Sequence, residues 1–383
     1  MTLNRRQLFR LVGAGAALSS LGTTAAVAAQ PKFVKPTAEK PMLLCFNENP
    51  LGMSEKAKEA VAKAAMYGSR YPFAQVIAFK KDLAKFMNVR PDEVLLTHGS
   101  AEAIRATIEA EATKNTVLVQ PELTYGDGAD VAKRNNIPVK NVKMGPNWSI
   151  DLAALRKVAT AEAKKHRVLV YLVNPNNPTS SVIPRNQMRD ILDYCKKKSI
   201  TVLVDETYVE FAPDVQAVTA IPLTEYYNNI IILRGISKFF AAPGLRLGYA
   251  ICGNKDLLKE INQKKNPWTI NSLAAIAGEI MFSDEEYIRK TRQLIASERE
   301  RICQAIRSMG AYQVYESNCN FVLVKIKKEG LTADQIFDTA IRQGLMIRDC
   351  STFPFLNDKY FRLCFMMPED NDRLLAVLKK LAD

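Results

Sequence analysis

The chain predicts an α/β protein: a mostly parallel sheet covered by helices in a large domain, with a smaller α/β domain after it. Three observations carry this. Short β-branched apolar runs alternate with helical patterns, the arrangement that builds parallel strands connected by helices. Polar residues able to do chemistry stand at the ends of those runs, where open α/β sheets bind ligands. Finally, 383 residues with 48% apolar content can bury a large core and suggest two or three domains by length.

In chain order, the strand candidates are Val94 to Thr97, Thr116 to Val119, Val168 to Val173, Ile200 to Val204, Ile230 to Leu233 and Leu247 to Cys252. Helical patterns include Ser100 to Thr113, Asn186 to Lys198 and a long charged stretch from Asp284 to Met309. Beyond it, Asn320 to Lys325, Thr332 to Gln343, Phe361 to Met366 and a closing helix, Asn371 to Leu381, indicate the smaller domain. The expected division is a signal over residues 1–28 and a leader with the N-terminal part of the small domain over 29–63. A large domain over 64–295 and a small C-terminal domain over 296–383 complete it.

The stretch ILRGISKFFAAPGLRLGYA holds the densest chemistry. It joins the Lys238 amine, the Ser237 hydroxyl and Arg246 in a spacing suited to pyridoxal phosphate: the amine can form a Schiff base with the aldehyde, while Ser237 and Arg246 take the phosphate. Upstream, VLVDETYVEF ends an apolar run on Asp205, with Tyr208 three residues on. A carboxylate there can keep the pyridine nitrogen protonated and make the ring an electron sink. In VLVYLVNPNNPTS, Asn176 and Asn177 follow another run, where an amide could bond the ring's phenolic oxygen, as Tyr208 could. Each has a plainer reading, Asp205 as a helix N-cap and Asn-Pro as a turn. Their joint order at strand ends favours the cofactor.

With these residues in place, the chain resembles the fold-type I pyridoxal-phosphate enzymes, and within them the class I/II aminotransferases of the histidinol-phosphate aminotransferase group, from about Met42 to the C-terminus. NENPLG, Asn47 to Gly52, resembles the group's opening motif, which implies a substrate-side role for Asn49; Leu51 stands where an aromatic residue is frequent. HGSAEAI resembles the phosphate-cradling turn, with Gly99, Ser100 and Ala101 opening a helix whose amides and dipole favour an anion. The resemblance implies that Tyr125 stacks on the cofactor ring and that Asn177, Asp205, Tyr208, Ser237, Lys238 and Arg246 take the cofactor roles above. It implies that Tyr71, in RYPFAQ, reaches the cofactor phosphate of a neighbouring subunit, hence a homodimer with shared sites. Arg362 in YFRLCF and Arg348 in MIRDC resemble a substrate-anion arginine and a second anion contact, suited to bidentate binding. Ser180 replaces the glycine usual in PNNPTG and is expected to alter only the turn.

The N-terminus, NRRQLFRLVGAGAALSSLGTTAAVAAQ, reads as an export signal: Arg5-Arg6, an apolar run from Leu11 to Leu21 too short to span a membrane, then small residues suited to cleavage after Ala28 or Ala29. The paired arginines followed by Gln7, Leu8 and Phe9 resemble a twin-arginine signal, which implies the twin-arginine export machinery as a partner and a periplasmic location. That route carries folded proteins, so a cofactor loaded in the cytoplasm could travel inside one.

The formal charge is +13, and loss of the signal's Arg5, Arg6 and Arg10 lowers it by three. The excess is dispersed, as at Lys196-Lys197-Lys198, with no zinc-finger, helix-turn-helix or RNA-binding signature, so nucleic acid is not an expected partner. Seven cysteines without a CxxC pair argue against a disulfide framework. With His98 and His166 the only histidines, neither a histidine-based metal site nor a serine-histidine triad is supported, and Lys238 is left as acid/base. The expected activity moves an amino group between an amino acid or amine bearing an anionic group and a 2-oxo acid. A decarboxylase or lyase on the same scaffold, histidinol phosphate as substrate, and a non-catalytic binding protein are the alternatives. The last is disfavoured because a binder needs neither the lysine nor the electron sink.

Overall fold

The computed structural model describes residues 36–383, so the expected signal and the start of the leader lie outside the described residues. The main sheet has seven strands in the order β1-β7-β6-β5-β4-β2-β3. They are β1 (Val94–Thr97), β2 (Thr116–Pro121), β3 (Val139–Val142), β4 (Arg167–Val173), β5 (Thr201–Asp205), β6 (Ile230–Gly235) and β7 (Gly248–Ile251). Strands β3, β2, β4, β5 and β6 run parallel, and β7 is antiparallel to both of its neighbours, β6 and β1. The mostly parallel, helix-covered sheet is the large-domain architecture that the sequence predicts.

Strands β2, β4 and β6 are apolar almost throughout because helices cover both faces of a parallel sheet. Edge strand β3 is half exposed and reads Val-Lys-Asn-Val, too polar and short to stand out in the sequence. On one face, Leu118, Leu169, Leu203, Ile231 and Ala250 pack against Ala103, Ile104 and Ile108 of the helix Gly99–Glu111 and Leu257 and Ile261 of the helix Lys255–Lys264. Ile104 is fully buried there, and its truncation to alanine costs about 2–5 kcal/mol.

The second sheet is four-stranded and antiparallel, in the order β10-β11-β9-β8: β8 (Tyr312–Val314), β9 (Phe321–Ile326), β10 (Arg348–Asp349) and β11 (Tyr360–Cys364). The 24-residue helix Glu285–Ser308 precedes it, capped by Asp284, whose carboxylate accepts from the Tyr287 amide. The N-terminal segment joins this sheet's neighbourhood: Met42 bridges Leu345 in parallel, and the Cys364 amide donates to the Leu44 carbonyl. All seven cysteines are free and buried, and burial pushes the thiols up, Cys195, Cys319, Cys350 and Cys364 to about 12.

Candidate active site

The sheet topology brings dispersed residues to one edge. Because β7 alone reverses direction, the ends of β1, β6, β5, β4 and β2 and the start of β7 lie along the same side. From β1 across to β2, that edge carries Gly99 and Ser100, Arg246 and Gly248, Ser237 and Lys238, Asp205, Asn177 and Tyr125.

At the β1 end the structure forms an anion cradle. Most long helices here close on a side-chain cap, such as Asp151 on the Ala154 amide or Asn254 on Leu257. The helix Gly99–Glu111 has no side-chain cap, so its first amides remain for another acceptor. Gly99 stands at φ +77, and a Cβ there would run into the Arg246 guanidinium. A Cβ on Gly248 would fall under 3.0 Å from the Gly99 and Ser100 backbone. Arg246, itself in the left-handed region, donates to the Pro243 carbonyl at 3.0 Å and has no carboxylate partner among the described residues. The cradle therefore offers a cation, helix amides without a side-chain cap among the described residues and the Ser100 and Ser237 hydroxyls, with two glycines letting Arg246 and β7 approach the helix start. That fits a phosphate group.

Asp205 occupies the end of β5 and is 2% exposed. Its Oδ1 accepts from the Thr207 amide at 2.9 Å and the Thr207 hydroxyl at 2.5 Å, and its Oδ2 faces the Tyr171 hydroxyl at 3.5 Å. Its Oδ1 closes a local turn on Thr207 and does not cap a helix, as the plainer reading had it. No cation pairs with the carboxylate among the described residues, and burial pushes it up to about 6 against the bonds from Thr207. A protonated ring nitrogen is the partner such a group lacks.

Lys238 also has no carboxylate partner among the described residues; its Nζ donates to the Phe46 carbonyl at 2.7 Å. Tyr208, buried, accepts at its hydroxyl from Asn47 Nδ2 at 3.1 Å, with the Phe321 ring edge-on at 5.0 Å. The two asparagines after β4 separate. Asn176 is spent on the Leu123 carbonyl and the Thr124 and Thr179 hydroxyls, while Asn177 accepts from Arg362 Nη1 at 2.5 Å and its Nδ2 makes no hydrogen bond among the described residues. Tyr125 feels the charge of Asp205, and burial followed by the nearby Asp127 carboxylate holds its hydroxyl well above the ordinary range.

Arg362, on β11, is 5% exposed. It donates to Asn177 and to the Cys45 carbonyl at 2.7 Å and lies over the Phe321 ring, yet among the described residues no carboxylate pairs with it and its buried Nε has no partner. Arg348 lies opposite on β10 and donates to the Thr352 hydroxyl at 3.1 Å. Tyr71 stays outside this group: it is 73% exposed and touches Phe73 and Trp268.

Two expectations change. Asn49 does not face the cleft. Its amide nitrogen is spent on the Phe239 carbonyl at 2.7 Å and the Tyr287 hydroxyl at 3.1 Å, and its oxygen accepts from the Leu51 amide, so it clamps the N-terminal segment to the large sheet's side. Ser180 does more than alter a turn. At φ +60, its hydroxyl accepts from the Asn318 amide at 2.7 Å and its carbonyl from Asn318 Nδ2, joining the Asn177 turn to the loop before β9. The sequence reading passed over Tyr171, Thr207, Asn47 and Phe321. Of these only Thr207 had a legible signal, its place two residues after Asp205 in an Asx-type turn.

An edge of this kind fits a fold-type I pyridoxal-phosphate enzyme: among the described residues its amine has no carboxylate partner and its buried carboxylate no cation, and it holds an anion cradle. Residues 39–378 match the family model for aminotransferase class I and II. Histidinol-phosphate aminotransferase 2 of Archaeoglobus fulgidus is 30% identical over 340 residues, which cover 88% of this chain and 92% of that protein. Threonine-phosphate decarboxylase of Salmonella typhimurium is 28% identical over 335 residues, 88% of this chain and 89% of its own. The solved histidinol-phosphate aminotransferase from Clostridium acetobutylicum superposes with a TM-score of 0.81 at 26% identity, covering 88% of this chain and 98% of that one. The chain belongs to the class I and II aminotransferase family, and its cofactor is pyridoxal 5'-phosphate.

Proposed function

We propose that the protein is an aminotransferase that moves an amino group between an amino acid or amine bearing an anionic group and a 2-oxo acid. The observation that carries this is Arg362: a buried guanidinium with no carboxylate and an unpartnered Nε among the described residues, beside Asn177 at the sheet edge. An unpaired buried charge is costly, and a substrate anion removes that cost. Arg348 is the second anion contact.

The remaining residues divide the work. Ser100, Ala101, Ser237 and Arg246 bind the cofactor phosphate, Tyr125 stacks on the ring, and Asn177 and Tyr208 address its phenolic oxygen. Asp205 holds a proton on the ring nitrogen. When bound, the cofactor supplies an electron sink for charge left on the substrate's α-carbon. Lys238 accepts the α-proton at Nζ and returns it, the role of a general base and acid.

The test is a donor and acceptor screen of purified holoenzyme that includes histidinol phosphate and L-threonine O-phosphate, the substrates named by the two groups of relatives. A 2-oxo acid or aldehyde product together with a newly aminated acceptor supports transfer. Carbon dioxide with an amine product moves the protein to the decarboxylases.

Two further readings belong to this proposal. The exposed cluster of Tyr71, Phe73, Trp268, Met66 and Tyr67 supports a homodimer in which Tyr71 completes the partner's phosphate site; sedimentation of wild type and Tyr71→Ala tests it. Arg5-Arg6 and the residues after them support export through the twin-arginine route to the periplasm. Cell fractionation of the Arg5→Lys, Arg6→Lys variant should find the protein held in the cytoplasm, and a periplasmic location would overturn that route.

A further inference from the structure

We propose that Asn47 is a positioning residue for the reaction: its side-chain amide, by donating to the Tyr208 hydroxyl oxygen, turns that hydroxyl's own proton toward the cofactor ring. The inference rests on the reading that Tyr208 addresses the ring's phenolic oxygen.

A tyrosine hydroxyl has one proton to give and lone pairs to accept with. Asn47 Nδ2 lies 3.1 Å from the Tyr208 hydroxyl, both side chains are buried, and no other hydrogen bond of that hydroxyl occurs among the described residues. With its oxygen occupied as an acceptor, the hydroxyl's proton has no protein partner and is left for a ligand. Accepting one hydrogen bond also polarises the O–H and strengthens the bond it donates. The opposite arrangement, in which the Asn47 carbonyl takes the tyrosine proton, would bury an amide nitrogen with two unsatisfied hydrogens. The observed one leaves the Asn47 side-chain oxygen and one amide hydrogen without a partner among the described residues, one orphan donor instead of two and so the less costly.

Both partners are held where this requires. Asn47 stands at φ +55, a conformation asparagine tolerates, and its backbone carbonyl accepts from Asn320 Nδ2 at 3.0 Å. The residues just before it are tied to the same site: the Cys45 carbonyl accepts from Arg362 and the Phe46 carbonyl from Lys238. Phe321, edge-on to the Tyr208 ring, limits its swing.

The experiment follows the cofactor's visible absorbance against pH in holoenzyme carrying Asn47→Gly, Asn47→Asp or Tyr208→Phe. Glycine and aspartate both accept the left-handed backbone at this position, so each variant keeps the segment. A proton donated to the phenolic oxygen stabilises its ionised form, so losing it raises the titration midpoint. Tyr208→Phe should raise it most clearly, and Asn47→Gly by a smaller amount, about half a pH unit. Asn47→Asp should raise it at least as far as Tyr208→Phe, because a carboxylate draws the tyrosine proton to itself. In the same variants kcat should fall about fivefold for Asn47→Gly while KM for the donor changes little. An Asn47→Gly midpoint equal to wild type, with Tyr208→Phe shifted, would overturn the proposal. So would an Asn47→Asp midpoint nearer wild type than that of Asn47→Gly. An unshifted Tyr208→Phe would instead remove the underlying role of Tyr208, and this inference with it.

Discussion

Arg348 and Arg362 lie directly opposite one another in the antiparallel pairing of β10 with β11. Side chains opposite one another share a face of the sheet, so both guanidiniums extend from the same face, and like charges so placed oppose each other. Burial, and then the charge of Arg362, holds Arg348 below its ordinary pKa. In the function proposed above, a substrate anion held by both offsets that repulsion.

Arg362→Ala should therefore lose about 2–4 kcal/mol of anionic-substrate recognition, roughly 30- to 1,000-fold in kcat/KM. Arg348→Ala should cost less, about threefold to tenfold, mainly in KM. Steady-state kinetics on an anionic donor and an uncharged analogue check this, since the analogue should be nearly indifferent to both changes. Equal losses on both donors would show that Arg362 supports the fold and does not read the substrate.

Asp205 carries a sign-definite pH signature. Its folded-state pKa, pushed up to about 6 by burial, lies above the ordinary 3.8, so the cofactor-free folded chain binds this proton more tightly than the unfolded chain does. Stability from this group is then greatest at low pH and falls as pH rises from about 4 to about 6, by on the order of 3 kcal/mol. A ring nitrogen bearing a proton pairs with the carboxylate and removes that loss. The rise in Tm on adding pyridoxal phosphate should be larger at pH 7.5 than at pH 5, and Asp205→Asn should flatten the difference. Differential scanning fluorimetry at the two pH values is sufficient.

Gly248→Ala should damage the phosphate cradle directly. The new methyl would press on the Gly99 and Ser100 backbone, where no flexible side chain can yield. The expected cost is about 1–3 kcal/mol, the range for overpacking, with weaker cofactor binding. Cofactor Kd by fluorescence titration should rise by at least tenfold, and an unchanged Kd would mean the cradle lies elsewhere.

Ser180→Gly sets two effects against each other. Glycine relieves the φ +60 backbone, worth roughly 1–2 kcal/mol, while the bond to the Asn318 amide, worth about 1 kcal/mol, disappears. Tm should move little, yet hydrogen exchange at the Asn318 amide should quicken markedly. Unchanged exchange there would show that the serine hydroxyl does not hold the two segments together.

Much of the large sheet was readable because a strand buried on both faces must be continuously apolar, as Val168 to Val173 and Ile230 to Leu233 are. The edge pieces β3, β8 and β10 carry no such signal: they are two to four residues long, and β3 and β8 are half exposed. Polar residues at the ends of long strands, Asp205, Asn177 and Lys238, were legible for the same reason, since a polar residue closing an apolar run stands out.

What the sequence determined by itself was the local chemistry and its order along the chain: the Ser-Lys and arginine spacing, the carboxylate ending β5, the helix opening on Gly-Ser-Ala. What only the tertiary structure decided was which of these groups lack partners. Asn47 and Asn49 stand two residues apart in one motif, yet one bonds Tyr208 at the site and the other is spent on Phe239 and Tyr287. Asn176 and Asn177 are adjacent and diverge in the same way. A hydrogen bond depends on which atoms meet across hundreds of residues, as Arg362 meets the Cys45 carbonyl, and no local pattern records that meeting.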